Sequence, residues 1–141
     1  DPKLYLIDFG LAKRYKTSND EHIAYRTDKS LIGTVRYVSI NAHDCKELSR
    51  RDDIESIGYL ILYLIIHKLP WQGLKIHDGK MRLDMIRQKK QNIILCDIPE
   101  PMKKYFNYIW NVNFKEEPNY EYLKTLVSEL DIKQKIISED T

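Results

Sequence analysis

The sequence predicts a mainly α-helical protein, and three observations favour that fold class. Residues 49–67, SRRDDIESIGYLILYLIIH, join a charged start to a predominantly apolar run. Three later segments, 78–90, 100–112 and 119–130, carry apolar residues at helical spacing. Only residues 3–7, KLYLI, have the pattern of a strand.

Segment 49–67 is expected to be the central helix of the core. It is apolar on nearly every face, which predicts burial, and its apolar run is too short to cross a bilayer. Ser49 followed by Asp52 has the spacing of a capping box, and Asp52 and Asp53 lie at the positive end of the helix dipole. We therefore expect other elements to surround this helix and to bury Ile61 and Leu64.

The segments before this helix are irregular. The predicted strand 3–7 needs a pairing partner, so the chain resembles part of a larger protein. Residues 13–30 are polar and lack apolar periodicity, which predicts a long functional loop. Residues 31–42, LIGTVRYVSINA, predict an ordered loop that ends in a helical turn.

Local signals set the ends of the later helices. Asp78 is a cap candidate for helix 78–90, and Pro118 followed by Asn119 opens helix 119–130. Residues 131–141 end in SEDT and predict a polar tail.

Composition narrows the class of protein. With 141 residues, 43% of them hydrophobic, the chain is expected to form one domain with a substantial core. A net charge of +2, from 23 basic and 21 acidic residues, does not favour nucleic-acid or membrane binding. Cys45 and Cys96 fit neither a disulfide framework nor a metal cluster, so we expect the cytoplasm, with the nucleus as a second compartment.

Three motifs occur in an informative order: D-F-G at residues 8–10, G-T-V-R-Y at 33–37 and D-x-x-S-x-G at 53–58. Together they resemble the activation segment (8–42) and central helix (49–67) of a protein kinase's C-terminal lobe. The stretches HIAYRTDKSLIGTVRYVSINAH, SRRDDIES and LPWQGLK closely resemble the casein kinase 1 family of serine/threonine kinases. The resemblance implies that residues 1–130 are a partial kinase domain without the N-terminal β lobe and the catalytic loop.

The resemblance also implies catalytic roles. Asp8 would bind the Mg²⁺ that bridges the phosphates of ATP, Phe9 would pack inward, and Gly10 would permit the backbone turn. Thr34 would bond the catalytic aspartate, and Asp53 would hold the catalytic loop; both of these partners are missing from the sequence. We expect Asp8 to lie near Thr34 and Asp53.

Arg36 and Arg82 are implied to form an anion pocket, with Gln72 and Gly73 supplying turn contacts. Two guanidiniums can hold a phosphate with several charge-assisted hydrogen bonds. Such a pocket would favour protein substrates that are acidic or already phosphorylated. From spacing alone, Arg82 reads as one of several solvated charges on its helix, with Lys80, Arg87 and Lys89.

Two further points follow from the resemblance. Lys13 and Lys29 match a second basic site, and for them a solvated surface role is an equal alternative. The chain has Ser39-Ile40-Asn41 where most kinases have A-P-E, and Trp110 where the partner arginine of that glutamate would stand. Loss of both partners avoids a buried unpaired charge.

The expected function is that of the C-terminal part of a casein kinase 1 type enzyme, which transfers the γ-phosphate of ATP to Ser or Thr. The chain as given is expected to be catalytically incomplete, because it has no Gly-rich loop, strand lysine or H-R-D loop. The alternative is a non-catalytic module that binds phosphorylated or acidic peptides. Nucleic-acid or membrane attachment through residues 80–90 is disfavoured, since Asp84 interrupts the basic run. Self-association through an apolar surface near Phe9 is expected.

Overall fold

The computed structural model describes residues 1–130, and this part of the chain is mainly helical, as predicted. Its regular elements are five α-helices and one 3₁₀ turn: α1 Ile40–His43, α2 Arg50–Ile66, α3 Gly79–Gln91, the 3₁₀ turn Ile93–Leu95, α4 Glu100–Trp110 and α5 Tyr120–Ser128. The tail predicted for 131–141 lies outside the described residues. The 3₁₀ turn is the one regular element here that the sequence did not predict.

Local caps explain why the helices begin where they do. Asp78 accepts a hydrogen bond from the Met81 amide (2.8 Å) at the start of α3, and Asn119 accepts from the Tyr122 amide (3.0 Å) at the start of α5. At the start of α2, the amide of Ser49 donates to Asp52 (2.8 Å). The four long helices match their predicted ranges to within one or two residues, and α1 is the predicted helical turn.

The core lies between α2 and α4, with the 69–74 turn, α3 and α5 packed around it. Tyr59 of α2 stacks on Phe106 of α4, with 5.1 Å between ring centroids. Gly58 allows this close crossing, because a Cβ there would stand 2.6 Å from Cε1 of Tyr105. The largest fully buried apolar side chains are Tyr59, Phe106, Leu62, Leu69, Ile93 and Met102.

The prediction that α2 is buried on all sides is wrong for one face. Ile57, Leu60 and Leu64 are 45%, 44% and 57% exposed, and Ile61 is only partly buried. These positions fall on one helical stripe, opposite the buried Tyr59 and Leu62. Within residues 1–130 no other element covers that stripe, so apolar composition on every face did not mean burial on every face.

The predicted strand 3–7 is also wrong. Residues 1–9 have no regular structure, and Leu4, Leu6 and Ile7 are largely exposed. A strand requires backbone hydrogen bonds to a neighbour, and none is formed to this segment within the described part of the chain.

The loop predicted for residues 13–30 is confirmed as irregular. It carries an isolated antiparallel bridge between Lys16 and His22. His22 packs edge-on against Phe114 (4.8 Å between ring centroids), and the guanidinium of Arg50 lies 4.4 Å above the Tyr15 ring. The loop is therefore held on the start of α2 and on the connection between α4 and α5.

Candidate anion-binding site

The loop that carries Thr34 and Arg36 is a tight turn closed by its own backbone. The amides of Tyr37 and Val38 both donate to the carbonyl of Thr34, at 2.9 and 3.1 Å. Gly33 precedes the turn with φ +104°, a conformation that side-chain-bearing residues rarely adopt. Thr34 and Arg36 are left exposed at the surface.

Asp52 anchors the downstream end of this loop to α2. One carboxylate oxygen accepts from the Ser39 hydroxyl (2.7 Å) and the Asn41 side-chain amide (3.0 Å), while the other accepts from the Ser49 amide. Asp52 is buried, and these partners offset the cost of burying its carboxylate. The sequence indicated only its capping role. Ser39 and Asn41, where most kinases have A-P-E, are thus both engaged by this one carboxylate.

Glu55 is a second buried acid that the sequence did not single out. Its carboxylate accepts from the Ile40 amide (2.6 Å) and from the Tyr59 hydroxyl (2.9 Å). Burial raises the pKa of the Glu55 carboxyl to about 7. Glu55 therefore joins α1 to α2 one turn beyond the contacts of Asp52.

The 69–74 turn approaches the Arg36 loop from the other side. The indole Nε1 of Trp71 donates to the carbonyl of Arg36 (2.8 Å), and the Gln72 side chain accepts from the Leu69 amide (2.6 Å). Gly73 has φ +68°, so the turn needs a residue that tolerates the left-handed region. These contacts hold Gln72 and Gly73 beside the Arg36 loop.

All four residues predicted for the anion pocket line one surface cavity of about 260 Å³. They are Arg36 on its loop, Gln72 and Gly73 in the turn, and Arg82 on α3. The walls between them are apolar: Val35, Trp71, Leu74, Leu83 and Ile86. Both arginines are exposed, and within residues 1–130 neither forms an ion pair with an acidic side chain. Two guanidiniums without an acidic partner therefore line one small cavity, an arrangement that favours a negatively charged ligand over a positive one.

The other charges on α3 are not all solvated. Arg87 makes two hydrogen bonds to the Asp44 carboxylate, at 2.6 and 2.9 Å, and this contact lowers the pKa of Asp44. Lys90 is fully buried and donates to the backbone of the Arg36 loop. The burial of Lys90 could not be predicted from the sequence, because a lysine near a helix end is normally solvated.

A larger groove of about 510 Å³ lies between the loop residues 11–34 and the start of α2. It brings together Thr34, Asp53 and Ser49. The pKa of Asp53 is raised, mainly by partial burial and to a lesser extent by the negative charge of Asp52.

Lys13 and Lys29 line the same groove and share one partner. Lys13 donates to the buried Glu47, and the ammonium of Lys29 lies 3.5 Å from the other oxygen of that carboxylate. Hydrogen bonding to Lys13 is the main reason that the pKa of Glu47 is lowered. One of the two positive charges is thus offset by Glu47, which makes this pair a weaker anion site than Arg36 with Arg82.

The D-F-G residues, 8–10, are not among the residues that line this groove, whereas Leu11 is. Asp8 is exposed with φ 62°, accepts from the Gly10 amide (3.2 Å) and is absent from the lining that contains Thr34 and Asp53. Phe9 is 66% exposed, so the expected inward packing is wrong, because no described element offers it a surface. Asp8 is one carboxylate, and no group of three metal-ligating side chains occurs within residues 1–130. These residues do not by themselves fit a Mg²⁺ or ATP site.

No known family model matches the chain. Among the helices of residues 1–130, none is both long enough and apolar enough to cross a membrane.

Proposed function

We propose that this chain is the substrate-binding, C-terminal part of a casein kinase 1 type serine/threonine kinase. In that enzyme the Arg36–Arg82 cavity holds an acidic or phosphorylated residue of a protein substrate, beside the Ser or Thr that receives the γ-phosphate of ATP. The observation that carries the proposal is the convergence of Arg36, Gln72, Gly73 and Arg82 on one cavity. These positions come from three separate elements, and the motif resemblance named all four.

Two contacts support a binding role for this surface. Thr34 is exposed and lies in the same turn as Arg36, so a peptide whose anionic residue occupies the cavity can also contact Thr34. The turn is held by Asp52 through Ser39 and by Trp71, which limits the ordering cost of binding.

ATP and Mg²⁺ belong to the proposed whole enzyme. Within residues 1–130, Asp8 is the carboxylate assigned to the metal, and we ascribe no phosphoryl transfer to the isolated chain.

A titration of the isolated chain with a fluorescent phosphoserine peptide tests the proposal. Each charge-assisted hydrogen bond to the phosphate contributes about 1.5–3 kcal/mol, so Arg36→Ala or Arg82→Ala should weaken binding at least tenfold, and the double variant should abolish it. Arg14→Ala removes an exposed arginine that does not line the cavity and is the matched control. Absence of binding at low salt would contradict the proposal.

A non-catalytic module that captures phosphorylated or acidic peptides is the second candidate. It is favoured by one observation: all four residues of the anion cavity lie within residues 1–130. The reading frame upstream of Asp1 separates the two candidates. An encoded G-x-G-x-x-G loop, strand lysine and catalytic aspartate support the kinase, and a start codon directly before Asp1 supports the module.

The basic run 80–90 remains a poor nucleic-acid or membrane surface. Arg87 is paired with Asp44 and Lys90 is buried, so fewer charges face solvent than the sequence suggests. Protein substrates therefore stay the proposed partners.

A further inference from the structure

Lys90 is a buried lysine with an unusual set of partners. It lies on α3 and is 0% exposed. Its ammonium donates to the backbone carbonyls of Val35 and Val38, both at 2.7 Å, and lies 3.1 Å from Nε2 of His43. Burial of an ammonium is costly, and these three hydrogen-bond partners offset part of that cost.

What Lys90 holds is the backbone on both sides of Arg36. The carbonyl of Arg36 itself accepts from Trp71, so residues 35, 36 and 38 are each fixed through their carbonyl oxygens. The aromatic faces of Tyr59 and Trp71 lie 5.1 and 5.6 Å from the ammonium and complete its surroundings.

The lysine also shares its helix with the second arginine of the cavity. Arg82 and Lys90 both belong to α3, and two turns of helix separate them by roughly 12 Å along a rigid axis. Lys90 therefore links the helix that presents Arg82 to the loop that presents Arg36.

We propose that Lys90 is a positioning residue of the anion site, which holds the Arg36 loop so that both guanidiniums reach one phosphate or sulfate. This inference rests on the proposed function. It assigns to Lys90 no contact with the anion itself, since Lys90 is absent from the lining of the cavity.

Other ionisable groups face Lys90. Burial lowers the pKa of Lys90 to about 7, while Glu55 acts to raise it. Burial lowers the pKa of His43 to about 4, so its neutral ring can accept from the ammonium near neutral pH. Tyr59, whose pKa is raised by burial, stays neutral. Asp84 and the pair Asp44–Arg87 act on His43 from beyond this cluster.

The first experiment measures phosphoserine-peptide affinity together with hydrogen exchange of the isolated chain. Lys90→Met should weaken binding roughly tenfold, or about 1.4 kcal/mol, and should accelerate exchange of the Tyr37 and Val38 amides. Lys89→Met removes a neighbouring charge that makes no contact with the Arg36 loop, and it should change neither quantity.

The second experiment needs no substitution at Lys90, so it decides the question even if Lys90→Met does not fold. Sulfate affinity of the wild-type chain should fall as pH rises through about 7, because the neutral amine holds the carbonyls less strongly. Sulfate keeps its own charge in this range. Glu55 titrates in the same region, and Glu55→Gln, which removes the group that raises the pKa of Lys90, should move the fall to lower pH.

The outcomes separate the two proposals. If Arg36→Ala loses binding while Lys90→Met binds as the wild type does, the role of Lys90 is refuted and the anion site stands. A sulfate affinity that does not change with pH refutes it too. If the wild-type chain binds neither probe at low salt, the proposed function fails and the positioning role fails with it.

Discussion

The indole Nε1 of Trp71 donates a hydrogen bond to the main-chain carbonyl of Arg36, 35 positions earlier in the chain, at 2.8 Å. Trp71 is 3% exposed and packs edge-on against Tyr59 of α2, with 5.2 Å between ring centroids. Trp71 therefore joins the buried core directly to the main chain of the exposed Arg36.

Trp71→Phe tests this link. The change keeps an aromatic ring but removes the only donor to the Arg36 carbonyl among the described residues. We expect the free energy of unfolding to fall by about 1–3 kcal/mol and phosphopeptide affinity to fall in parallel. Trp110→Phe makes the same change at the end of α4, away from the cavity, and should leave affinity intact. Urea denaturation and a peptide titration measure the two effects; unchanged affinity in Trp71→Phe would contradict the link.

The sequence predicted those features that depend on neighbouring residues. Asp78 and Asn119 cap α3 and α5 because a cap is a contact over three residues. The strand at 3–7 and the burial of Leu64 were predicted wrongly, since both depend on which distant element lies alongside.

The features of the candidate site also divide into those that the sequence indicated and those that it did not. Arg36 and Arg82 are 46 positions apart, and only the family resemblance, not their spacing, indicated that they meet. Lys90 and Glu55 were missed because a charged residue in a helix reads as solvated until tertiary contacts bury it. Asp52 was identified as a cap from the sequence. Its hydrogen bond with Ser39 was not, because that contact depends on the path of the loop between them, which sequence patterns do not predict.

Gly58→Ala is expected to destabilise the fold. A methyl group there would lie 2.6 Å from Tyr105 Cε1 and 2.9 Å from Phe106 Cε1, and both rings are buried. Overpacking costs about 1–3 kcal/mol, whereas alanine gains roughly 1 kcal/mol in helix propensity, so a net loss of up to about 2 kcal/mol should result. Gly79→Ala, which meets nothing within 4 Å, should be neutral or stabilising in the same denaturation series. Equal stability of the two variants would show that α2 and α4 can separate without cost.

Glu55 predicts a pH dependence of stability. Its pKa rises from 4.5 to about 7 on folding, so the folded state binds more protons between these values. The contribution of Glu55 is therefore fully present below pH 4.5 and is lost as pH rises to about 7. Gln has the same shape and cannot ionise, so Glu55→Gln should match the wild type in acid and exceed it by about 3 kcal/mol above neutral pH.

Denaturation of both proteins across this pH range measures the difference directly. His43, whose pKa is lowered to about 4, changes stability in the opposite direction, but it is common to both proteins and cancels. Glu117→Gln, at an exposed position, is the control. A difference that stays constant with pH would mean that Glu55 ionises alike in the folded and unfolded chain.

The exposed stripe Ile57, Leu60 and Leu64 is expected to make the isolated chain self-associate. Each side chain is at least 44% exposed, and together they form a contiguous apolar face on one helix. Leu60→Glu with Leu64→Glu places two like charges on that face and should lower both the sedimentation coefficient at high concentration and the binding of a hydrophobic dye.

Leu95→Glu changes a leucine that is 80% exposed elsewhere, so it should leave association intact if α2 is the contact. A wild-type chain that sediments as a monomer without binding dye would contradict this expectation. Association that survives the double substitution would move the contact to Leu4, Leu6 and Ile7, whose backbone is also free of pairing within the described residues.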